Sequence, residues 1–195
     1  MMDQDYHVLR SNIEQRVLLT AEDWERISSF FKPKFIKKKK DLFRADETHR
    51  HIAFVLKGCF RSFSTDLKGK EHTIQFALES YWIGDLMSFL TQQPSQYTIE
   101  AIEDSSVLLI SKEKLDQLYH EVPIMERYFR ILIETAYIAT RQRLSGTMQE
   151  PAEVRYKKLL TKQPQFIQRI PLTYIASFLG ITPESLSRIR KQLID

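Results

Sequence analysis

The sequence predicts an α+β protein: an N-terminal antiparallel β-domain, a roll or a sandwich, then one long helix, and a small helical domain at the C-terminus. Three observations carry that reading. From about residue 33 the apolar period is two, in short runs broken at Lys57-Gly58 and at "DLKGK" (66–70), which is the pattern of hairpins with glycine at their turns. From Pro123 to Leu144 the period becomes helical and stays so without interruption. Beyond Pro151 short helical stretches follow one another with brief connectors, and a helical unit after a strand-rich one implies separate domains.

The elements can be justified in order. In "TAEDWERISSFF" Thr20 caps a helix with Asp23 three residues on, and Trp24, Ile27 and Phe31 follow on one face. Lys37–Lys40 lead into a strand beside "DLF" and predict a solvated turn. "HIAFVLKG", "CFRSFSTD" and "KEHTIQFA" are strands, and "YTIEAIEDSSVLLIS" adds one or two more, about six to eight in all, enough for a roll or sandwich.

In the long helix Met125, Leu132 and Ala139 recur every seven residues, as do Ile124, Ile131 and Ile138. A helix apolar on most of its circumference must be buried on more than one side. One side is expected to cover its own β-domain. The other would meet the same helix of a second copy through Met125, Tyr128, Leu132, Thr135 and Ala139. "SGTMQEPAE" (145–153), with Gly146 and Pro151, predicts a hinge. The expected domains are therefore residues 1–122, a dimerisation helix over 123–146, and residues 147–195.

Composition narrows the function. No run of 18 apolar residues is present, and "MMDQDYHVLR" has no apolar signal core, so neither a membrane span nor export is expected, and a cytoplasmic location is. The single cysteine, Cys59, excludes an intrachain disulfide, and a small core residue is the expected role. His49, His51 and His72 lack a carboxylate at ligand spacing, so no metal site is expected, and no catalytic constellation suggests an enzyme. Charge is uneven. The net charge is +4, yet residues 151–195 hold eight Lys and Arg against three acids, a tail of +5 on a body of −1. That is the footprint of a nucleic-acid-binding segment.

The last two predicted helices are joined only by Gly180-Ile181-Thr182, with Ile175, Leu179, Leu186, Ile189 and Leu193 on facing stripes and Ala176 allowing close approach. This is the spacing of a helix-turn-helix. Thr182 and Pro183 start the second helix, whose outer side carries Glu184, Ser187, Arg188 and Lys191. Such side chains meet cytosine N4, guanine and backbone phosphate. The candidate DNA-binding residues are Thr182, Glu184, Ser185, Ser187, Arg188 and Lys191.

Taken together, "FIKKKKDLFRADE", "HIAFVLKGCFRSFSTDLKGKEHTIQF", "YWIGDLMSFL" and above all "IPLTYIASFLGITPESLSRIRK" resemble the Crp/Fnr family of bacterial transcription regulators. The resemblance implies a cyclic-nucleotide-binding-type β-roll, a dimerisation helix and a winged helix-turn-helix. It places Glu184 and Arg188 where the family's base-reading Glu and Arg sit, with Ser185 between them.

Three departures qualify what is implied. "KKKKD" and "RADE" lack the glycines of the family's first motif. The cassette keeps Gly84, Asp85 and Leu86 but has Ser95-Gln96 where Arg-Ser would hold a cyclic phosphate, and there is no Lys or Arg from Tyr81 to Ser111. A cyclic phosphate would lack a cation to offset its desolvation, so cyclic AMP is not expected as effector. The wing is expected to be absent or minimal. The reading is a homodimeric, sequence-specific regulator of pseudo-palindromic duplex DNA, without cofactor or membrane partner. RNA polymerase is a further implied partner. An unidentified small-molecule effector would sit by Gly84, Asp85, Leu86, Ser95 and Gln96. The alternative is a small-molecule-sensing or protein-interaction module that reads no DNA sequence.

Overall fold

In the computed structural model, which describes residues 3–193, eight strands and nine helices are present among the described residues. Helices α1 (Asp3–Glu14) and α2 (Ala21–Ser29) precede β1 (Lys32–Ile36), β2 (Asp41–Phe43), β3 (His51–Lys57), β4 (Phe60–Thr65), β5 (Glu71–Ala77) and β6 (Trp82–Ile83). Then come α3 (Leu86–Thr91), β7 (Thr98–Ala101), β8 (Ser105–Ser111), α4 (Lys112–Glu121) and the long α5 (Ile124–Gln149). The strands form two four-stranded sheets, ordered β1-β8-β3-β6 and β2-β7-β4-β5. Where β1, β3, β6 and β8 pair they are antiparallel, with Phe54 opposite Leu108 and Ala53 opposite Leu109.

The continuous apolar run of β3 has a simple cause: both of its faces are buried. Ile52, Phe54 and Leu56 join Leu9, Ile13, Ile27, Leu118 and Met125 in a core beneath the helices. Ala53 and Val55 point the other way, into the roll, with Phe60, Ile83, Ile99 and Val107. At the β3–β4 turn Gly58 has φ +100°, and a Cβ there would lie 2.1 Å from Ser105 Oγ, so no side chain fits. Cys59 beside it is fully buried, a small core residue as expected. The predicted Thr20 capping box forms: Thr20 Oγ1 accepts from Asp23 N at 3.0 Å, and Asp23 Oδ2 accepts from Thr20 N at 3.0 Å. Lys37–Lys40 form the expected exposed turn.

The structure adds helices the sequence reading did not name. α1 is one, anchored by the fully buried Leu9 and Ile13 four residues apart. α4 is another, capped by Ser111, whose side chain accepts from Lys114 N.

The chain forms two compact units, one running to Ser62 and including Phe76–Glu134, the other comprising Phe63–Gln75 and the chain from Thr135. The second contains α6 (Ala152–Lys162), α7 (Pro164–Arg169), α8 (Leu172–Phe178) and α9 (Pro183–Gln192). Of these, α7 starts on Pro164 at its first turn and buries Phe166. Residues 145–149 of the expected hinge continue α5, which ends at Gln149. Among the described residues after Pro151 there is no strand. The expectation about a wing concerns chain past α9, where Ile194 and Asp195 lie outside the described residues.

Candidate nucleic-acid interface

The turn between α8 and α9 is built by its hydrogen bonds. Gly180, at φ +68°, takes the left-handed position after the C-cap Leu179. Its N–H donates to Ser177 O at 3.0 Å, and Ile181 N–H donates to Ala176 O at 3.0 Å. This pair is a Schellman closure, which satisfies the last carbonyls of α8 and reverses the chain sharply. Ile175, Ala176, Leu179 and Leu186 are buried and join the two helices, with Tyr156, Phe166 and Ile170 also buried. Thr182 then caps α9, its Oγ1 accepting from Ser185 N at 3.3 Å.

On α9 the predicted split between inside and outside holds residue by residue. Leu186 is buried and Ile189 half-buried, whereas Thr182, Glu184, Ser187, Arg188 and Lys191 are exposed and Ser185 is half-buried. Glu184, Arg188 and Lys191 succeed one another at steps of four and three, one stripe on the helix. Arg188 Nη2 donates to Ser185 Oγ at 3.4 Å, leaning back along the helix. Hydrogen bonds from the Glu184 N–H and the Thr182 hydroxyl hold the Glu184 carboxyl below the usual carboxylate range. The helix start therefore presents an ionised acceptor and the next two turns present cations. That arrangement suits hydrogen bonding to base edges flanked by phosphates.

The predicted effector residues come together only in part. Asp85 and Ser95 are buried and bonded to each other, Ser95 Oγ donating to Asp85 Oδ2 at 2.8 Å. Asp85 Oδ1 also caps α3 by accepting from Met87 N at 3.0 Å, and Ser95 Oγ accepts from Tyr97 N at 3.0 Å. Gly84 lies so close to Ile52 that a Cβ would sit 2.8 Å from Ile52 Cγ2. Leu86 and Gln96 are exposed. A buried cation that the sequence reading missed, Arg61, is held by Glu100, its Nε donating to Glu100 Oε2 at 2.7 Å. Ser95, which the resemblance sets where a phosphate-binding arginine would stand, is already engaged by a carboxylate.

Of the histidines, His49 is buried, with Nε2 2.9 Å from Arg44 O, and His72 Nε2 is 2.9 Å from Asp66 Oδ2. No three His, Cys, Asp or Glu side chains cluster for a metal among the described residues. Among the described residues no helix is long and apolar enough to cross a membrane.

The predicted face of α5 needs correction. Met125 and Tyr128 are fully buried in the core of their own unit. A polar chain fixes Tyr128 there: its hydroxyl donates to Asn12 Oδ1 at 2.7 Å and accepts from Trp82 Nε1 at 2.9 Å. Burial pushes the Tyr128 hydroxyl up to about 12. Leu132 is half-buried, while Thr135 and Ala139 are exposed. Residues 133–142 are exposed all round the helix. Within and beyond them Ile133, Tyr137, Leu144 and Met148 stay exposed at 46%, 64%, 52% and 79%. With Thr140 between, these positions step by four, three, four and four, a stripe about 140° round from the predicted one at 100° per residue. The sevenfold repeat of Met125 reflects burial against the roll, and this second stripe carries four of the five exposed large apolar side chains of α5, the fifth being Ile138.

Comparison with known proteins agrees with this architecture. Residues 33–121 match the cyclic nucleotide-binding domain. The chain is 25% identical over 183 residues to the transcriptional activator protein anr of Pseudomonas aeruginosa, covering 88% of this chain and 74% of that one. It is 26% identical over 165 residues to the transcriptional activator FnrA of Stutzerimonas stutzeri, covering 79% and 67%. The fold of FixK2 from Bradyrhizobium japonicum superposes with a TM-score of 0.74 at 18% identity, over 84% of each chain. These relatives are transcription regulators and not enzymes. With a roll, a long helix and a helix-turn-helix in that order, and likeness over most of its length, the chain is a homologue of the Crp/Fnr transcription regulators.

Proposed function

We propose that this protein regulates transcription by sequence-specific binding of duplex DNA as a homodimer, with α9 in the major groove. The observation that carries the reading is the solvent stripe Glu184–Arg188–Lys191 on a helix whose opposite side is locked into the helix-turn-helix by Leu186. Two such helices related by a two-fold axis would enter successive major grooves about 34 Å apart. The dimer forms through the uncovered stripe Ile133, Tyr137, Thr140, Leu144 and Met148, because an amphipathic stripe of this spacing pairs with its own copy. Thr135 and Ala139 lie on the other side of the helix from that seam.

The β-roll senses an effector other than cyclic AMP, or none, since Ser95 is bonded to Asp85, no Lys or Arg lies from Tyr81 to Ser111, and Arg61 is held by Glu100. A cytoplasmic location and contact with RNA polymerase follow from the same reading. No observation favours a protein-interaction module that ignores DNA sequence. Competition between a duplex recovered by binding and its scrambled version, at one salt concentration, tests the proposal. A preference of about a thousandfold or more is expected, and equal affinities would overturn it.

A further inference from the structure

The junction of α5 with the helix-turn-helix is held by one side chain. An α-helix ends by donating from residue i to the carbonyl of i−4, and at residue 151 that donor is missing because Pro151 has no N–H. Thr147 O would be left open. Arg155, one turn into α6, supplies the bond: its Nη1 donates to Thr147 O at 3.2 Å and to Glu150 O at 2.8 Å. Its Nη2 reaches Leu179 O at 2.8 Å. Leu179 is the C-cap of α8, whose carbonyl the Schellman closure leaves open. The guanidinium therefore closes the C-terminal ends of two helices at once, where a cation is favoured by both dipoles. Its planar fork can span three carbonyls as an ammonium cannot. Arg155 Nε is buried without a partner, so this placement is held at a cost in hydrogen bonding. Independently, Arg143 of α5 lies over the Phe178 ring of α8, 4.9 Å from its centroid.

We infer that Arg155 is a positioning residue that clamps the end of α5 to the α8–α9 turn, so that the direction of α5 sets the direction of the reading helix. The predicted hinge at 145–153 is thereby a rigid corner within this unit. The consequence for half-site spacing rests on the DNA reading proposed above, whereas the clamp itself does not.

Two measurements on the full chain separate them. Spin labels at the exposed Gln142 of α5 and Gln192 of α9, in dimers diluted with unlabelled protein, report their distance within one protomer. The wild type gives one narrow distribution. Arg155→Gln broadens and shifts it, and Arg155→Lys, which keeps the charge but not the fork, restores it only in part. The second measurement moves the half-sites apart by one base pair, about 3.4 Å. Affinity then falls about tenfold or more in the wild type and less than about threefold in Arg155→Gln, while penalties for single base changes within a half-site stay as they were. An Arg155→Gln protein with the wild-type distance distribution overturns the inference. So does a spacing profile identical to wild type. Should Arg155→Gln fail to fold, Arg155→Lys decides: a distribution as narrow as wild type refutes the clamp. If the wild type binds no DNA selectively, the distance result still stands on its own, and the failure belongs to the DNA reading.

Discussion

Replacing Tyr128 by Phe tests where the long helix is buried. The hydroxyl makes two bonds, to Asn12 Oδ1 at 2.7 Å and from Trp82 Nε1 at 2.9 Å. Asn12 Oδ1 keeps a second donor, Arg16 Nη1 at 3.0 Å, so its loss is at the low end. A typical bond contributes about 1 kcal/mol net, and a buried group left unpaired costs about 1–3 kcal/mol. Together these give about 2–3 kcal/mol for Tyr128→Phe. For a chain of this length, that lowers the melting temperature by about 4–12 °C. The protein's two tryptophans, Trp24 and Trp82, both lie in the unit that holds Tyr128, so tryptophan fluorescence follows its unfolding directly. Were Tyr128 instead a dimer contact, the variant would weaken self-association and its midpoint would depend on protein concentration. A midpoint within about 0.5 kcal/mol of wild type, with a raised dimer dissociation constant, would refute the core assignment.

Other outcomes follow from named groups. Leu144→Glu, on the uncovered stripe of α5, brings two like charges to the seam and is expected to weaken the dimer by about 3 kcal/mol or more; sedimentation equilibrium that finds an unchanged dimer would place the seam elsewhere. Lys191→Ala should lower DNA affinity by a similar factor on every sequence and reduce the salt slope by about 1, whereas a sequence-dependent loss would make Lys191 a base reader. Bonds from the Thr20 backbone N–H and hydroxyl hold the Asp23 carboxyl below its usual range. Its contribution to α2 is therefore complete above the unfolded carboxyl value of about 3.9 and disappears as pH falls through the lower folded value. Carboxyl NMR titration checks this, and Asp23→Asn should remove that pH dependence. Calorimetric titration with cyclic AMP should show no saturable heat, since Ser95 spends its hydroxyl on Asp85.

Much of the fold was legible because it is written locally. The Thr20 capping box, the glycine turns and the Gly180 corner each depend on residues within a few positions of one another. So does the outer stripe of α9, since a short two-helix unit has one face to bury and one to expose. The α5 stripe was misread because a sevenfold repeat says that a helix face is buried and not by what. Met125 and Tyr128 are covered by their own core, through Asn12 more than a hundred residues away in sequence. That α5 runs on through residues 145–149 of the expected hinge was hidden for a related reason. Gly146 and Pro151 do weaken a helix locally, and only the fold brings the Arg155 guanidinium to the carbonyl that Pro151 leaves open. The roll was legible as strands, while the pairing of Arg61 with Glu100 joins β4 to β7 across the sheet and left no local trace.

The central claim is that α9 reads bases. The most direct test is to sequence genomic fragments retained by the wild type and by Arg188→Ala, side by side and without added ligand. The account predicts, for the wild type, a two-fold symmetric motif with half-sites centred about one helical turn apart. For Arg188→Ala it predicts the same motif with preference lost at one base step per half-site, a loss of about 1–3 kcal/mol at that step. No enriched motif from the wild type, or the same motif unchanged in the variant, would contradict it.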